Sequence, residues 1–237
     1  MKLAKPLIVF LALMAPAAIS VFAQELRHEA PSGFPAVKIV PGTIQVHPVN
    51  VLSADESVRQ ATIAQSQEKR QRGWVEAPPG RHDSFLAYFQ ENSSGPKQMR
   101  SSLDELAGKL RVAPANLQGT LLDGFKLYGA WWAGGFVNGG WTGVVRSGTT
   151  PKLGRVVLEE YDYAQAGSFF MIPEELVDFN ANGLPGQFIV FRDASGPSWS
   201  EMRWFTANKE FRLRIDQPIL KSDSMYQALQ ELATQLR

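Results

Sequence analysis

The stretch from Trp199 to Asp216 constrains the fold more than any other part of the chain. Phe211, Leu213 and Ile215 alternate with Glu210, Arg212, Arg214 and Asp216. A period of two puts the apolar set on one face of a strand and the charged set on the other. This is the pattern of an antiparallel strand with one face on a core and the other in water. Residues 199–206 supply its partner across the turn Ala207-Asn208-Lys209. Further strands are expected at 155–163, 168–172 and 187–192. Residues 131–145 are dense in Trp and Gly, with Asn138 in their middle, so they read as strands and not as a membrane span.

Helices flank this region. The chain ends in an amphipathic helix begun by Ser222 or Asp223. Its stripe is Met225, Leu229, Leu232 and Leu236, widened by Tyr226 and Ala233, and it is expected to cover the inner face of the sheet. Upstream, Asp83 is expected to cap a short helix with Phe85, Leu86 and Phe89 facing inward. A loop follows at 92–96. Ser102 and Glu105 form a capping box, after which Leu103, Leu106, Ala107 and Leu110 share a helical face. A second short helix is expected through Leu117, Leu121 and Leu122, ending near Gly124. The class is α+β: a mainly antiparallel twisted sheet with N-terminal helices and a C-terminal amphipathic helix packed on it.

The N-terminus speaks to compartment. Lys2 and Lys5 precede an apolar run at 7–18 containing Pro16, and Val21-Phe22-Ala23 follows. This is the three-part pattern of a secretory signal peptide over residues 1–23, with cleavage after Ala23. The run is too short and too Pro-interrupted for a good span; a retained N-terminal anchor is the alternative. Removing 23 residues from 237 leaves 214, enough for one good core. Lys2 and Lys5 leave with the leader, which takes the formal net charge from +1 to −1. A near-neutral surface argues against a nucleic-acid partner held through phosphates. The expected location is periplasmic or secreted, with no stable membrane span after cleavage. There is no cysteine. Disulfides, Cys-ligated zinc, a thiol nucleophile and a lipidated cysteine are therefore all excluded. Packing must supply the stability, and 14 Phe, 6 Trp and 5 Tyr provide large areas to bury.

Residues 24–80 read as an arm, punctuated by Pro31, Pro35, Pro41, Pro48, Pro78 and Pro79. Short strands are expected at 37–40 and 43–46. One helix is expected between a capping box of Ser53 and Glu56 and the basic end Lys69, Arg70 and Arg72. Its apolar face, Val58, Ala61, Ile63 and Ala64, is thin, which suits an exposed or partner-covered helix. The arm is expected to be more mobile than the domain at 81–237.

The candidate chemistry is sparse. Asp178-Phe179-Asn180-Ala181-Asn182-Gly183 resembles the start of the calcium-loop motif of EF-hands and of calcium-binding β-propellers, which would make Asp178, Asn180 and Asn182 calcium ligands. An EF-hand would need Glu where Ile189 stands, and the propeller loop an acid where Gly186 stands. The plainer reading is an Asn-Gly turn before a strand. Residues 103–117 resemble a helix-turn-helix, with Arg111 in place of the turn glycine. Export and near-neutral charge favour a helical hairpin on the core over DNA binding. His28, His47 and His82 lack helical metal spacing. His82-Asp83 lacks a nucleophile motif, and Asp83 suits a cap better. Gly134-Gly135 and Gly139-Gly140 fit no phosphate-loop pattern and suit turns or close packing.

Glu159, Glu160, Glu174 and Glu175 are the weak catalytic candidates. Two of them across a groove could act as acid and base on a glycan, with Trp131, Trp132 and Trp141 stacking on sugars. Carboxylates on a strand face are ordinarily solvated, and Trp in a sheet is ordinarily packing. The leading expectation is an exported, non-catalytic envelope or secreted protein that binds another macromolecule, a protein or other envelope component, with no cofactor. The alternatives are a carboxylate-based envelope glycan hydrolase and a calcium-stabilised binding module.

Overall fold

A computed structural model describes residues 40–89, 101–194 and 196–236. The leader at 1–23, residues 37–39 of the first arm strand and the loop at 92–96 lie outside the described residues. In chain order the elements are β1 (Ile44–His47), α1 (Val49–Leu52), α2 (Glu56–Arg72), β2 (Val75–Glu76), α3 (Arg81–Leu86) and α4 (Leu103–Ala107). Then come β3 (Lys126–Val137), β4 (Gly140–Thr150), β5 (Gly154–Asp162), β6 (Phe170–Pro173), a 3-10 turn (Glu174–Leu176), β7 (Phe179–Ala181), β8 (Leu184–Arg192), β9 (Ser198–Phe205), β10 (Lys209–Ile215) and α5 (Ser224–Gln235).

The fold is α+β, and its main sheet joins two antiparallel meanders. β3-β4-β5 and β8-β9-β10 meet where β10 pairs antiparallel with β5. Two meanders arise because consecutive strands are linked by tight turns. Asn138-Gly139 and Asn182-Gly183 turn β3 into β4 and β7 into β8, with all four φ angles between 48° and 85°. Two successive left-handed residues make the turn whose twist matches paired strands, and Asn-Gly is the pair that tolerates it. On the far side, β2 runs parallel to β8 and β7 antiparallel to it. A second, two-stranded sheet pairs β1 parallel with β6. Two strands of the arm are thus hydrogen-bonded to later parts of the chain.

The apolar face of the sheet is sealed by α5. Phe188, Met202, Trp204, Phe211, Leu213 and Ile215 meet Tyr226, Leu229, Leu232, Ala233 and Leu236. Trp204 and Phe211 lie parallel, ring centroids 5.1 Å apart. Each fully buried large side chain contributes about 1.5–3 kcal/mol, so this layer dominates the stability.

Several local expectations are corrected. α4 keeps its capping box of Ser102 and Glu105, but it spans only Leu103–Ala107. Residues 117–124 form successive turns and no helix, because Gly119 and Gly124 stand at positive φ and break any helical run. The helical hairpin therefore does not form, although Leu117 and Leu122 are buried as the pattern requires. α2 is capped by Asp55 and not Ser53: the Asp55 carboxylate accepts from the Ser57 and Val58 amides. The face of α2 turned to the protein is not its thin apolar stripe but Thr62, Ser66 and Lys69. Asp83 lies within the first turn of α3, whose cap position is Gly80.

The charged face of β10 is also not a wet one. Glu201 and Glu210 are buried, and Arg212 and Arg214 are half-buried. Phe85, Trp131, Val145 and Val157 pack on this face at one end, with Tyr88 stacked on Trp131. At the other end Phe170 and Phe205 lie 5.0 and 4.9 Å from the Arg203 guanidinium.

Candidate functional site

The β3–β4 hairpin projects beyond its neighbour. β4 pairs with β5 only from Gly143 opposite Tyr161 onward, so Gly140, Trp141 and Thr142 make no ladder pair with β5. The chain after α4 fills that place as a brace. The Arg111 amide donates to the Trp141 carbonyl at 2.7 Å, and the Trp141 amide donates to the Lys109 carbonyl at 2.8 Å. Arg111 also donates through its guanidinium to the Asn138 carbonyl in the turn. The approach needs a glycine, because a Cβ at Gly140 would lie 2.8 Å from Arg111 Cγ and 3.2 Å from the Lys109 carbonyl.

Opposite the brace, β3 bulges between Ala133 and Phe136. The Thr142 hydroxyl closes the bulge, accepting from the Gly135 amide at 3.0 Å and donating to its carbonyl at 3.1 Å. A bulge re-aims the side chain that follows it, and Phe136 emerges 60 % exposed. Its ring meets Trp141 edge-on at 5.4 Å, and Trp141 lies near-parallel to Trp132 at 6.0 Å. The Lys109 ammonium sits 5.2 Å above the Trp132 ring. The result is a braced tip of three aromatic rings with two exposed cations, Lys109 and Arg111.

Of the three tryptophans proposed as binding residues, Trp132 and Trp141 are brought together here. Trp131 is not: it is 9 % exposed and packs with Phe85 on the opposite face. Phe136 was missed because a lone Phe between glycines and Asn-Gly looks like ordinary strand. A signal was present in the sequence. No acidic residue occurs from 106 to 122 or from 124 to 158.

The four carboxylates named as catalytic candidates are scattered. Glu160 is 1 % exposed on the α5 side, where it pairs with Arg146 and accepts from the Ala115 amide at 2.7 Å. Glu159 lies on the other face, 2.6 Å from Arg214 and 3.8 Å from Arg212. Glu175 accepts from the Val49 amide at 3.0 Å, capping α1 from outside its sequence. Glu174 is exposed in the 3-10 turn. None of them lines the 280 Å³ cleft formed by Glu76, His82, Asp83, Asp193 and their neighbours.

Asp178, Asn180 and Asn182 do not converge either. The Asp178 carboxylate accepts from Lys69 at 2.7 Å, from Lys221 at 2.8 Å and from the Phe188 amide at 2.8 Å. Asn180 accepts from the Gly183 amide, and Asn182 donates to the Thr234 carbonyl. The segment is the Asn-Gly hairpin between β7 and β8. Burial pulls the Lys69 amine below its ordinary pKa, and Asp178 opposes that pull. Two ammonium groups already balance the one carboxylate. Among the described residues, no three of His, Asp and Glu are grouped to hold a metal ion.

The remaining charges form a ladder across β5, β9 and β10. Arg203 binds Glu210 at 2.5 Å, Arg212 reaches Glu210 at 3.2 Å, Arg214 binds Glu159, and Arg81 binds Glu201 at 2.8 Å. Burial pushes the Glu201 carboxyl up, but Arg214 and Arg81 outweigh it and hold the group below its usual range. Burial lowers the Arg203 pKa against Glu210, whereas in Arg212 and Arg214 the carboxylates outweigh burial. Burial raises the Tyr88 hydroxyl, which bonds to Arg214. His82 turns away from Asp83 to Asp216, 3.3 Å off, and its ring lies tilted against Trp199 at 5.0 Å. Every one of these groups serves another protein group, so the ladder acts as a structural layer. No protein-family model, curated protein or solved structure matches the chain.

Proposed function

We propose that the protein is exported and, without catalysing a reaction, binds another component of the cell envelope through the tip of the β3–β4 hairpin. The observation that carries the reading is Phe136, 60 % exposed against Trp141 and Trp132 on a doubly braced tip. Aromatic side chains dominate the energy of most interfaces. A brace that fixes them beforehand reduces the ordering cost of association. Export rests on the leader pattern of residues 1–23. The commitment of Glu159, Glu160 and Glu175 to ion pairs and a cap supports binding over hydrolysis by paired carboxylates. The two lysines on Asp178 likewise weigh against a calcium-stabilised module.

The test is site-specific photo-crosslinking in the exported protein. A photoreactive residue at position 136 is expected to trap an envelope component, and one at Lys152, in the β4–β5 turn, is not. Equal trapping at both positions, or none at 136, would sink the reading. N-terminal sequencing of the same material should begin at or near Gln24.

A further inference from the structure

We infer that the β3–β4 tip is an interfacial anchor for an anionic lipid surface, an inference that rests on the tip being the contact site. The rings and the charges share one small region. Phe136, Trp132 and Trp141 are flanked by exposed Lys109 and Arg111. The hairpin lies in the acid-free stretch from 124 to 158, and its brace lies in the acid-free stretch from 106 to 122. Tryptophan and other amphipathic rings settle at the headgroup level, and adjacent Lys and Arg are drawn to anionic headgroups. The fit is one of charge as well as apolarity: the two cations stand in segments without a carboxylate, and the exposed acids just before them are Asp104 and Glu105 of α4, the second turned to the Ser102 amide.

Geometry favours a lipid surface over a protein. The tip extends past the paired part of β5 and carries Phe136, the most exposed large apolar side chain among the described residues. Its polar groups are engaged internally: Thr142 closes the bulge, and the Asn138 carbonyl takes Arg111. A specific protein interface of ordinary size draws about 20–30 residues and about ten direct hydrogen bonds from each complex. Three rings and two cations fall well short of that, but they suit shallow insertion, where binding scales with buried apolar area and attraction to anionic lipid.

The test is co-sedimentation of the protein, recovered in soluble form after export, with vesicles. One set holds phosphatidylglycerol in phosphatidylcholine, and the other is pure phosphatidylcholine. Binding is expected to the anionic set only and to weaken with added salt. Phe136→Ser is expected to lower partitioning about tenfold, and Lys109→Gln about fivefold. Both sites are exposed, so thermal melts of the two variants should match the parent. No binding to anionic vesicles, or binding that neither substitution reduces in folded protein, overturns the inference. If position 136 instead traps an envelope protein while vesicles bind nothing, the lipid assignment fails and the binding reading stands. If neither vesicles nor crosslinking involve the tip, both fail.

Discussion

Glu159 and Glu160 are consecutive in β5 and serve opposite faces of the sheet, the first paired with Arg214 and the second with Arg146. Side chains alternate along a strand, so two adjacent carboxylates cannot flank one groove. Their substitutions should therefore differ in stability and not in chemistry. Glu160→Gln leaves Arg146 buried without its counter-charge, at a cost of about 3 kcal/mol or more. Glu159→Gln leaves Arg214 still bonded to Tyr88 and near Glu201, and its partly exposed pair is expected to cost about 1 kcal/mol. Urea midpoints of the two variants check the order. Equal midpoints would contradict the placement of Glu160.

Arg203 and Arg212 stand directly opposite each other across β9 and β10. Like charges in that relation repel, so the strand pair depends on the neighbouring carboxylates of Glu210, Glu159 and Glu201. Glu201 has a folded pKa held below the ordinary 4.5. Below about pH 4.5 the unfolded chain binds the proton first, so stability falls as pH drops through that window and on to the folded pKa. Denaturant unfolding should be flat from neutral pH to about 5 and then decline. In Glu201→Gln the acid decline should be shallower, from a lower starting stability. An unchanged slope in that variant would refute the role given to Glu201.

The Lys69–Asp178 pair is nearly sealed, with side chains 6 % and 4 % exposed. Asp178→Asn removes the negative charge that faces the buried Lys69 ammonium and leaves one acceptor oxygen where Lys69, Lys221 and the Phe188 amide shared two, so a loss of about 3 kcal/mol is expected. Calcium at about micromolar concentration should leave the melting temperature of the parent unchanged, since one carboxylate shared by two lysines offers too little charge for a tight site. A rise in melting temperature with calcium, absent in Asp178→Asn, would restore the loop to a metal-binding role.

The sheet was legible because β10 carries a clean period of two and α5 a clean helical stripe. The Asn182-Gly183 turn was legible because few other pairs hold two left-handed residues, whereas Asn138-Gly139 was hidden within the Trp- and Gly-rich run. The fate of the charged face was not. Alternation says which residues share a face, but not that Phe85, Tyr88 and Phe170 will cover part of it. α2 misled in the same way: its inward face is Thr62, Ser66 and Lys69, chosen by the Glu175 carbonyl and Asp178 more than 100 residues away. Phe136 is exposed through a bulge that depends on the Thr142 hydroxyl, a contact no local pattern announces.

The brace and the rings at the tip should separate experimentally. Gly140→Ala drives a Cβ into Arg111 and the Lys109 carbonyl, so the brace must shift; a loss of about 1–2 kcal/mol is expected. Phe136→Ser removes an exposed ring and should change stability by about 0.5 kcal/mol or less. Thermal melts check both. A Gly140→Ala protein that melts like the parent would show that the brace does not hold the hairpin.

The arm is bound into the fold at several points. β2 pairs with β8, β1 pairs with β6, and α2 is fastened through Lys69 to Asp178 and through Ser66 to the Glu175 carbonyl. Val75 and Ala77 also complete a buried cluster with Ile189, Phe191 and Trp199. Removing the chain up to residue 80 would uncover Phe191 and Trp199, open the outer edge of β8 and leave Asp178 with one lysine. An open, apolar strand edge invites pairing between molecules. A chain beginning at residue 81 is therefore expected to aggregate or to melt well below the parent, and limited proteolysis should not yield a folded fragment starting near 80. A soluble fragment from 81 that unfolds cooperatively at the parent's temperature would show that the arm contributes nothing to the core.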